Sequence, residues 1–459
     1  MKFIGRKEEL KKLDAIINNY KFSFVLIYGR RRVGKSELVK QALENSSSKY
    51  IYYECKQVKE QTNTNSLSRV IADVLNLPKL GFDSFEETLD FIFSYSIKEK
   101  LILVLDEYPY LKENTDGIDS ILQSLIDKYK NGSKLTLIIL GSYVDIMKNL
   151  LSHSNPLFGR VDLTINLKEM NYFESSLFYP NFSNEDKVKI YSVFGGIPYY
   201  NELIDDKIGV RENIINLIAS KNARLENEVS TYLTSEISKM SNANEVFDAL
   251  SKGSYRYSDI LNKSHVSSGP TLVDTLEKLM KMEIVGKVSP INDSNNKRKV
   301  GYKIIDNLSS FYYRYIFKYS SQMNLMDKNI FFDKYIKDDF ESYYVPHKFE
   351  EICSQYLKRQ NLLGLINPVF DAIGKYYYGD PINHKNGEFD IVTHDDKGYI
   401  FYEVKFINGI LTENDIFKEI EQVKNTGLNA YKYVFFTKNK NDDYKIENVE
   451  FIYLDELFK

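Results

Sequence analysis

The sequence contains no tryptophan and only two cysteines, Cys55 and Cys353, among 459 residues. Thiols so far apart supply neither a disulfide framework nor the paired spacing of a zinc site. Long apolar runs are also missing. The longest, LILVL at 101–105 and LTLIIL at 135–140, are strand-sized and far short of a bilayer span, so no membrane association is expected. The opening stretch, MKFIGRKEEL, lacks the apolar centre of a signal peptide, and the expected location is cytoplasmic. Nor is there an excess of positive charge. With a formal net charge of −3, no global field draws the chain to a polyanion, and any such contact must rest on local patches. What remains is an ordinary folded composition, 43% hydrophobic and 27% charged. The length allows roughly two to four domains, each with its own core.

The most informative stretch present is 22–41, FSFVLIYGRRRVGKSELVKQ. An apolar strand leads into Gly29-Arg30-Arg31-Arg32-Val33-Gly34-Lys35-Ser36 and then into a helix, matching G-x-x-x-x-G-K-[ST] without a departure. The two glycines let the backbone curl so that successive N–H groups face phosphate oxygens, and the helix start adds its positive dipole end. Lys35 is expected to reach the β- and γ-phosphates, and the Ser36 hydroxyl to take one Mg²⁺ position.

A second buried strand ends in Asp106-Glu107. An acidic pair at the C-terminal end of a central strand is where a P-loop enzyme holds Mg²⁺, with Asp106 binding the metal through water and Glu107 orienting or deprotonating the attacking water. A further strand, 135–140, ends at Ser142, either a hydrogen-bonding partner for that water or the γ-phosphate, or a plain loop residue. Arg160, in the loop 156–160, is either a stabiliser of transition-state charge, in its own or a neighbouring subunit, or a surface ion pair. Gly195-Gly196-Ile197-Pro198 breaks a helical stretch.

FIGRKEEL, GRRRVGKS, LVLDEYPYL, ILGS, PLFGR and GGIP, in this order, resemble the archaeal-type ATPase family, which lies near the AAA+ and STAND groups of P-loop NTPases and also occurs in bacteria. The likeness covers roughly the first half of the chain. It implies an αβα ATPase core with a helical lid over 1–235 and ATP as the ligand. Lys35 and Ser36 would be the phosphate and Mg²⁺ contacts, and Asp106 with Glu107 the Walker B pair. Ser142 would occupy the sensor position, where Asn or Thr is usual, and Pro198 would lie near the adenine.

Over 236–320 three short helical patterns precede two strands flanking a polar loop, the outline of a winged helix-turn-helix. DNA binding would use the helix 270–281 and Lys297-Arg298-Lys299. That helix carries Asp274 and Glu277 against Lys278 and Lys281, so protein docking is an equal alternative. The aromatic run 311–315 reads as a packing helix. In 335–459, a strand bearing Asp390, a turn at 395–398 and the returning strand YIFYEVKF form a hairpin. Pairing His394 with Tyr399 sets Asp390 opposite Glu403, about 5 Å apart at Cβ, with Lys405 on the same face. Two such carboxylates suit a hard cation, and the lysine a water or phosphate. This D…E-x-K pattern resembles the PD-(D/E)xK nuclease fold. The resemblance implies Glu350 as a further metal ligand, Gln422 as a weaker candidate, and Mg²⁺ or Mn²⁺ at this site. Phe389 stands where that family usually has proline.

The expectation is thus an α/β multidomain chain: a P-loop αβα ATPase core with helical lid, a winged helix, and a C-terminal α/β restriction-endonuclease-like domain. The expected partners are ATP, DNA or another nucleic acid, and a protein at the winged helix, with oligomers left open. The alternative is a nucleotide-dependent binding switch whose C-terminal domain is catalytically inactive.

Overall fold

Continuous apolar strands bury both faces, and three of the first five strands of the chain do so, within one parallel sheet. A computed structural model describes residues 3–236, 240–253, 255–294, 296, 299–380, 385–440 and 445–459. In it β1 (Ser23–Tyr28), β2 (Lys49–Glu54), β3 (Leu101–Asp106), β4 (Leu135–Gly141) and β5 (Leu163–Asn166) run parallel in the order β2-β3-β4-β1-β5. Every residue of β1, β3 and β4 is buried. Leu67, Ile71, Leu89, Ile92 and Phe93 of the helices Glu60–Leu75 and Phe85–Lys98 pack on Leu103, Leu105, Leu137 and Ile139. Because β4 lies between β1 and β3, the pairs Tyr28↔Gly141 and Leu105↔Ile139 bring three strand ends to one edge. There the phosphate loop follows β1, Asp106-Glu107 closes β3, and Ser142 follows β4. No helix among the described residues is long and apolar enough to cross a membrane.

The chain divides into two compact units, Met1–Glu169 with Ile197–Tyr199, and Met170–Gly196 with Tyr200–Lys459. The helical segment after residue 169 is grouped with the C-terminal part, apart from Ile197–Tyr199. The reason is long-range bonding within the second unit. Tyr172 Oη donates to Leu457 O at 2.7 Å, Asn307 Nδ2 to Tyr191 O at 2.8 Å, and Tyr344 Oη to Ser192 O at 3.0 Å.

Within that second unit, the helices Met240–Ser251, Tyr257–Lys263 and Gly269–Lys281 precede an antiparallel pair, β6 (Val285–Val288) and β7 (Gly301–Ile304). Ser268 caps the third helix by accepting from Thr271 N. Lys297 and Arg298 lie outside the described residues, while Lys299 pairs with Asp293 at 2.9 Å. The aromatic run packs inward: Tyr313 stacks on Phe247 with ring centroids 4.3 Å apart, and Phe311 and Tyr315 pack on Tyr344. The helix Val345–Leu362 then leads to β8 (Ala372–Asp380), β9 (Lys385–Asp395), β10 (Gly398–Lys405), the helix Glu413–Asn425, β11 (Ala430–Thr437) and β12 (Val449–Tyr453). The sheet order is β12-β11-β10-β9-β8, antiparallel over β8-β9-β10 and parallel over β10-β11-β12. Phe389, Val392, Phe401, Ile416, Ile420 and Phe435 form its core.

Candidate functional site

The strand order sets the chemistry at the first site. Lys35 opens the helix Lys35–Glu44 and is buried. Its Nζ donates to Gly29 O at 3.0 Å, Arg30 O at 3.1 Å and Ser142 Oγ at 2.9 Å. Burial lowers its pKa to about 8, partly offset by Glu107 and Asp106. A buried ammonium whose hydrogen bonds all end on neutral oxygens is a site that gains by receiving an anion. Ser142 Oγ in turn donates to Glu107 Oε1 at 2.6 Å, and its backbone N to Glu107 Oε2 at 3.3 Å. Lys35, Ser142 and Glu107 thus form one chain of hydrogen bonds. Ser36 Oγ donates to Asp106 Oδ2 at 2.7 Å, an oxygen pair of the kind Mg²⁺ takes. Glu107 is held left-handed at φ 50°, a conformation that costs a non-glycine residue and clusters at functional sites.

The loop itself is braced by its surroundings. A Cβ on Gly29 would lie 2.1 Å from Leu167 O, and one on Gly34 would meet Pro198 Cγ at 3.8 Å, so Pro198 sits over the loop's second glycine. Arg31 donates to Tyr110 Oη at 3.3 Å and Tyr143 Oη at 3.1 Å, and Arg32 lies over the Tyr199 ring at 4.4 Å. Val33 is buried, and its carbonyl accepts from Arg6 at 3.3 Å. Two of these contacts escaped the sequence reading. Arg6, buried and left-handed at φ 56°, also bonds Lys168 O; its signal is its place in FIGRKEEL. Tyr52 of β2 donates its hydroxyl to Asp106 Oδ2, and no motif marks it.

Of the two readings of Arg160, a stabiliser of transition-state charge or a surface ion pair, the arginine makes the ion pair. It precedes β5, which begins beside Val25 of β1, so it lies at the sheet edge opposite the phosphate loop. There it forms a two-pronged ion pair with Asp127, at 3.1 and 2.7 Å, and donates to Pro156 O at 2.9 Å.

The second site lies in the C-terminal sheet. The hairpin pairs His394 with Tyr399 as counted from the turn, and pairing ends at Ile391↔Tyr402, one step before Asp390 and Glu403. Lys405 Nζ lies 2.6 Å from Glu403 Oε1 and 3.1 Å from Glu419 Oε1. Burial and then Glu419 push the Glu403 carboxyl up to about 7, against Lys405. Burial and the Asp390 charge push Glu350 well up, against Lys375. Carboxyls held in the neutral form by burial and by one another suit a hard cation. Lys375, which no motif marks, reaches the same carboxylates. It lies at the register shift between Gly374 and Tyr376, a bulge of the kind that re-aims a side chain. It bonds Asp390 at 3.0 Å, and Glu388 as well. Among the described residues no three His, Cys, Asp or Glu side chains close into a metal cage. Gln422 donates to Tyr378 Oη at 2.6 Å.

Residues 3–204 match a family described as an ATPase domain predominantly from Archaea, and residues 312–420 match archaeal and bacterial proteins of unknown function. An uncharacterized protein of Methanocaldococcus jannaschii is 28% identical over 455 residues, covering 98% of this chain and 97% of its own length. An uncharacterized ATP-binding protein of the same organism is 25% identical over 273 residues, 48% of this chain and 73% of that one. In fold, the chain is similar to the Walker-type ATPase of Pyrococcus abyssi, with a TM-score of 0.51 and 18% identity over 68% of this chain and 96% of that one. It is also similar to the Aeropyrum pernix ORC2 protein in its ADPNP–ADP complexes, with a TM-score of 0.50 and 12% identity over 67% and 91%. Over residues 3–204 the phosphate loop, the acidic strand end and the family match thus support an archaeal-type P-loop ATPase.

Proposed function

We propose that this chain is an AAA+/STAND-like enzyme that hydrolyses ATP at Lys35, Ser36, Asp106 and Glu107, coupled to a nuclease-like C-terminal domain. The observation that carries the first part is the hydrogen-bond chain from Lys35 through Ser142 to Glu107. A γ-phosphate in the loop competes with Ser142 for the Lys35 ammonium, while Ser142 keeps Glu107 aimed at the strand edge. Glu107 takes a proton from the water that attacks the γ-phosphorus. The bond to the bridging oxygen breaks, and ADP and phosphate leave. Ser36 and Asp106 would hold Mg²⁺, which supplies charge neutralisation of the phosphates. Lys35→Ala is expected to lower turnover at least a hundredfold in a phosphate-release assay. Turnover equal to that of the unchanged protein would reject the site.

The order helix, β8-β9-β10, helix, β11, together with raised carboxyls around Asp390, supports a restriction-endonuclease-like domain acting on phosphodiesters. Glu350, Asp390 and Glu403 would hold Mg²⁺ or Mn²⁺, which lowers the pKa of bound water, and Lys405 would face the phosphate. The three helices with β6 and β7 are read as a winged helix. One observation favours the alternative, a binding switch with an inactive C-terminal domain: Lys375 and Lys405 already neutralise Asp390 and Glu403. Incubation of labelled DNA with Mg²⁺ or Mn²⁺, beside Asp390→Ala, decides between them. Cleavage lost in the variant supports the nuclease. Cleavage absent from both, or equal in both, leaves the switch.

A further inference from the structure

Two cavities in the second unit, of about 410 and 430 Å³, share Tyr255, Tyr377 and Glu388 and so join into one groove. It runs from Arg256 and Lys299 to Glu350 and Asp390. One wall is the β6–β7 pair with the segment before the helix Tyr257–Lys263. Tyr302 N donates to Tyr255 O at 2.7 Å, and Arg256 bridges to Gly301 of β7. The other wall is β8 and β9. The walls are fixed to each other: Asn292 Nδ2 donates to Tyr377 O at 2.8 Å and Tyr377 N to Asn292 Oδ1 at 3.2 Å. Lys303 of β7 is also tied to Glu351 of the helix Val345–Leu362 at 3.0 Å.

The groove is lined by rings and cations, with carboxylates gathered toward the Asp390 end. Tyr255, Tyr302 and Tyr377 line it, with Arg256, Lys303 and Lys375 among them. Tyr255 and Arg256 are both exposed, Arg256 lies over the Tyr255 ring at 5.6 Å, and no carboxylate among the described residues is paired with it. Aromatic faces for bases and cations for the backbone between them are what an unpaired strand needs. Each cavity has the size of a pocket for one small molecule, near that of a nucleotide. Cavities of about 410 and 430 Å³ take single nucleotides and leave no room for a base-paired helix. The helix Gly269–Lys281 offers little competition, since Lys278 is paired with Asp274 on its own surface at 2.8 Å.

We propose that this groove binds single-stranded nucleic acid and leads it to the acidic centre at Asp390. The proposal rests on the nuclease reading only for what happens at the groove's end. The test uses the full chain with EDTA, so that no cleavage intervenes, and a fluorescein-labelled mixed-sequence 12-nucleotide DNA strand beside its 12-base-pair duplex, read by anisotropy. The single strand is expected to bind at least ten times tighter than the duplex. Tyr255→Ala should weaken it roughly 5- to 150-fold, with Tyr255→Phe restoring it. Arg256→Gln should weaken it and reduce the slope of log affinity against log salt by about one. Circular dichroism melts confirm that each variant is folded, and Arg256→Gln alone carries the test should Tyr255→Ala not fold. Equal or tighter duplex binding, no binding of the strand, or strand affinity unchanged in the folded variants each overturns the proposal. The two readings separate cleanly. Strand binding through Tyr255 and Arg256 without metal-dependent cleavage removes the nuclease and leaves the groove. Asp390-dependent cleavage of duplex, unaffected by these variants, does the reverse.

Discussion

Lys35 is the residue on which the first site turns, and its environment makes a testable statement about pH. Its pKa without a ligand is about 8, lowered by burial. A triphosphate favours the charged form, so binding below pH 8 finds the proton already present. Above pH 8 the proton must be taken up on binding, and affinity for the nucleotide falls by up to about tenfold per pH unit. Titration calorimetry with MgATP from pH 7 to 9.5 should give a flat region and then this decline. An affinity constant to pH 9.5 would contradict the lowered value. Ser142 donates to Glu107 at 2.6 Å, and in the proposed reaction it would act through that carboxylate. Ser142→Ala should lower kcat by about 10- to 100-fold with little change in nucleotide affinity, since it loosens the base rather than the phosphate cradle. A change confined to affinity would make Ser142 a binding residue instead. These two predictions differ because GKS is a local motif, whereas Ser142 gains its partners from strand order.

The element that ties β7 to the helix Val345–Leu362 is the Lys303–Glu351–Lys348 cluster, with distances of 3.0 and 3.4 Å. Burial raises the Glu351 pKa, but the two lysines outweigh it and bring it to about 2. The folded value lies below the unfolded one of about 4.3. Its stabilisation is therefore full above about pH 4.3 and is lost as pH falls toward 2. Glu351→Gln should cost about 1–2 kcal/mol at pH 7, part-exposure of the carboxylate keeping the figure low. In urea melts the gap between variant and parent should stay constant to about pH 5 and narrow below it. A gap widening with acid would refute the assignment. At this scale the hairpin β9–β10 was legible, because Asp395-Asp396-Lys397-Gly398 fixes the turn and the turn fixes the register. Lys375 was not, because β8 joins the sheet through pairing with β9 and a bulge then aims the side chain.

Across the second unit, segments nearly three hundred residues apart share one interior. Leu457 is fully buried, its carbonyl accepts from Tyr172 Oη, and Phe458 packs edge-on against the Tyr172 ring with centroids 5.4 Å apart. Leu457→Ala should cost about 2–5 kcal/mol through the cavity it leaves. Hydrogen exchange should then show faster exchange in the helix Asn184–Phe194, although that helix lies far away in sequence. Faster exchange confined to β12 and the residues after it would show that the two segments are not one cooperative piece.

The sequence by itself determined the phosphate loop, the acidic end of β3 and the buried parallel strands, because each depends on residues within a few positions of one another. Spacing, period and turn chemistry act locally, and the chain could not read them otherwise. Only the tertiary structure decided that Ser142 would stand between Lys35 and Glu107, that Arg160 would face the opposite sheet edge, and that the helices after residue 169 would join the C-terminal unit. Those outcomes follow from strand order and long-range burial, where pairing free energy is shared among distant segments and no single stretch carries the signal.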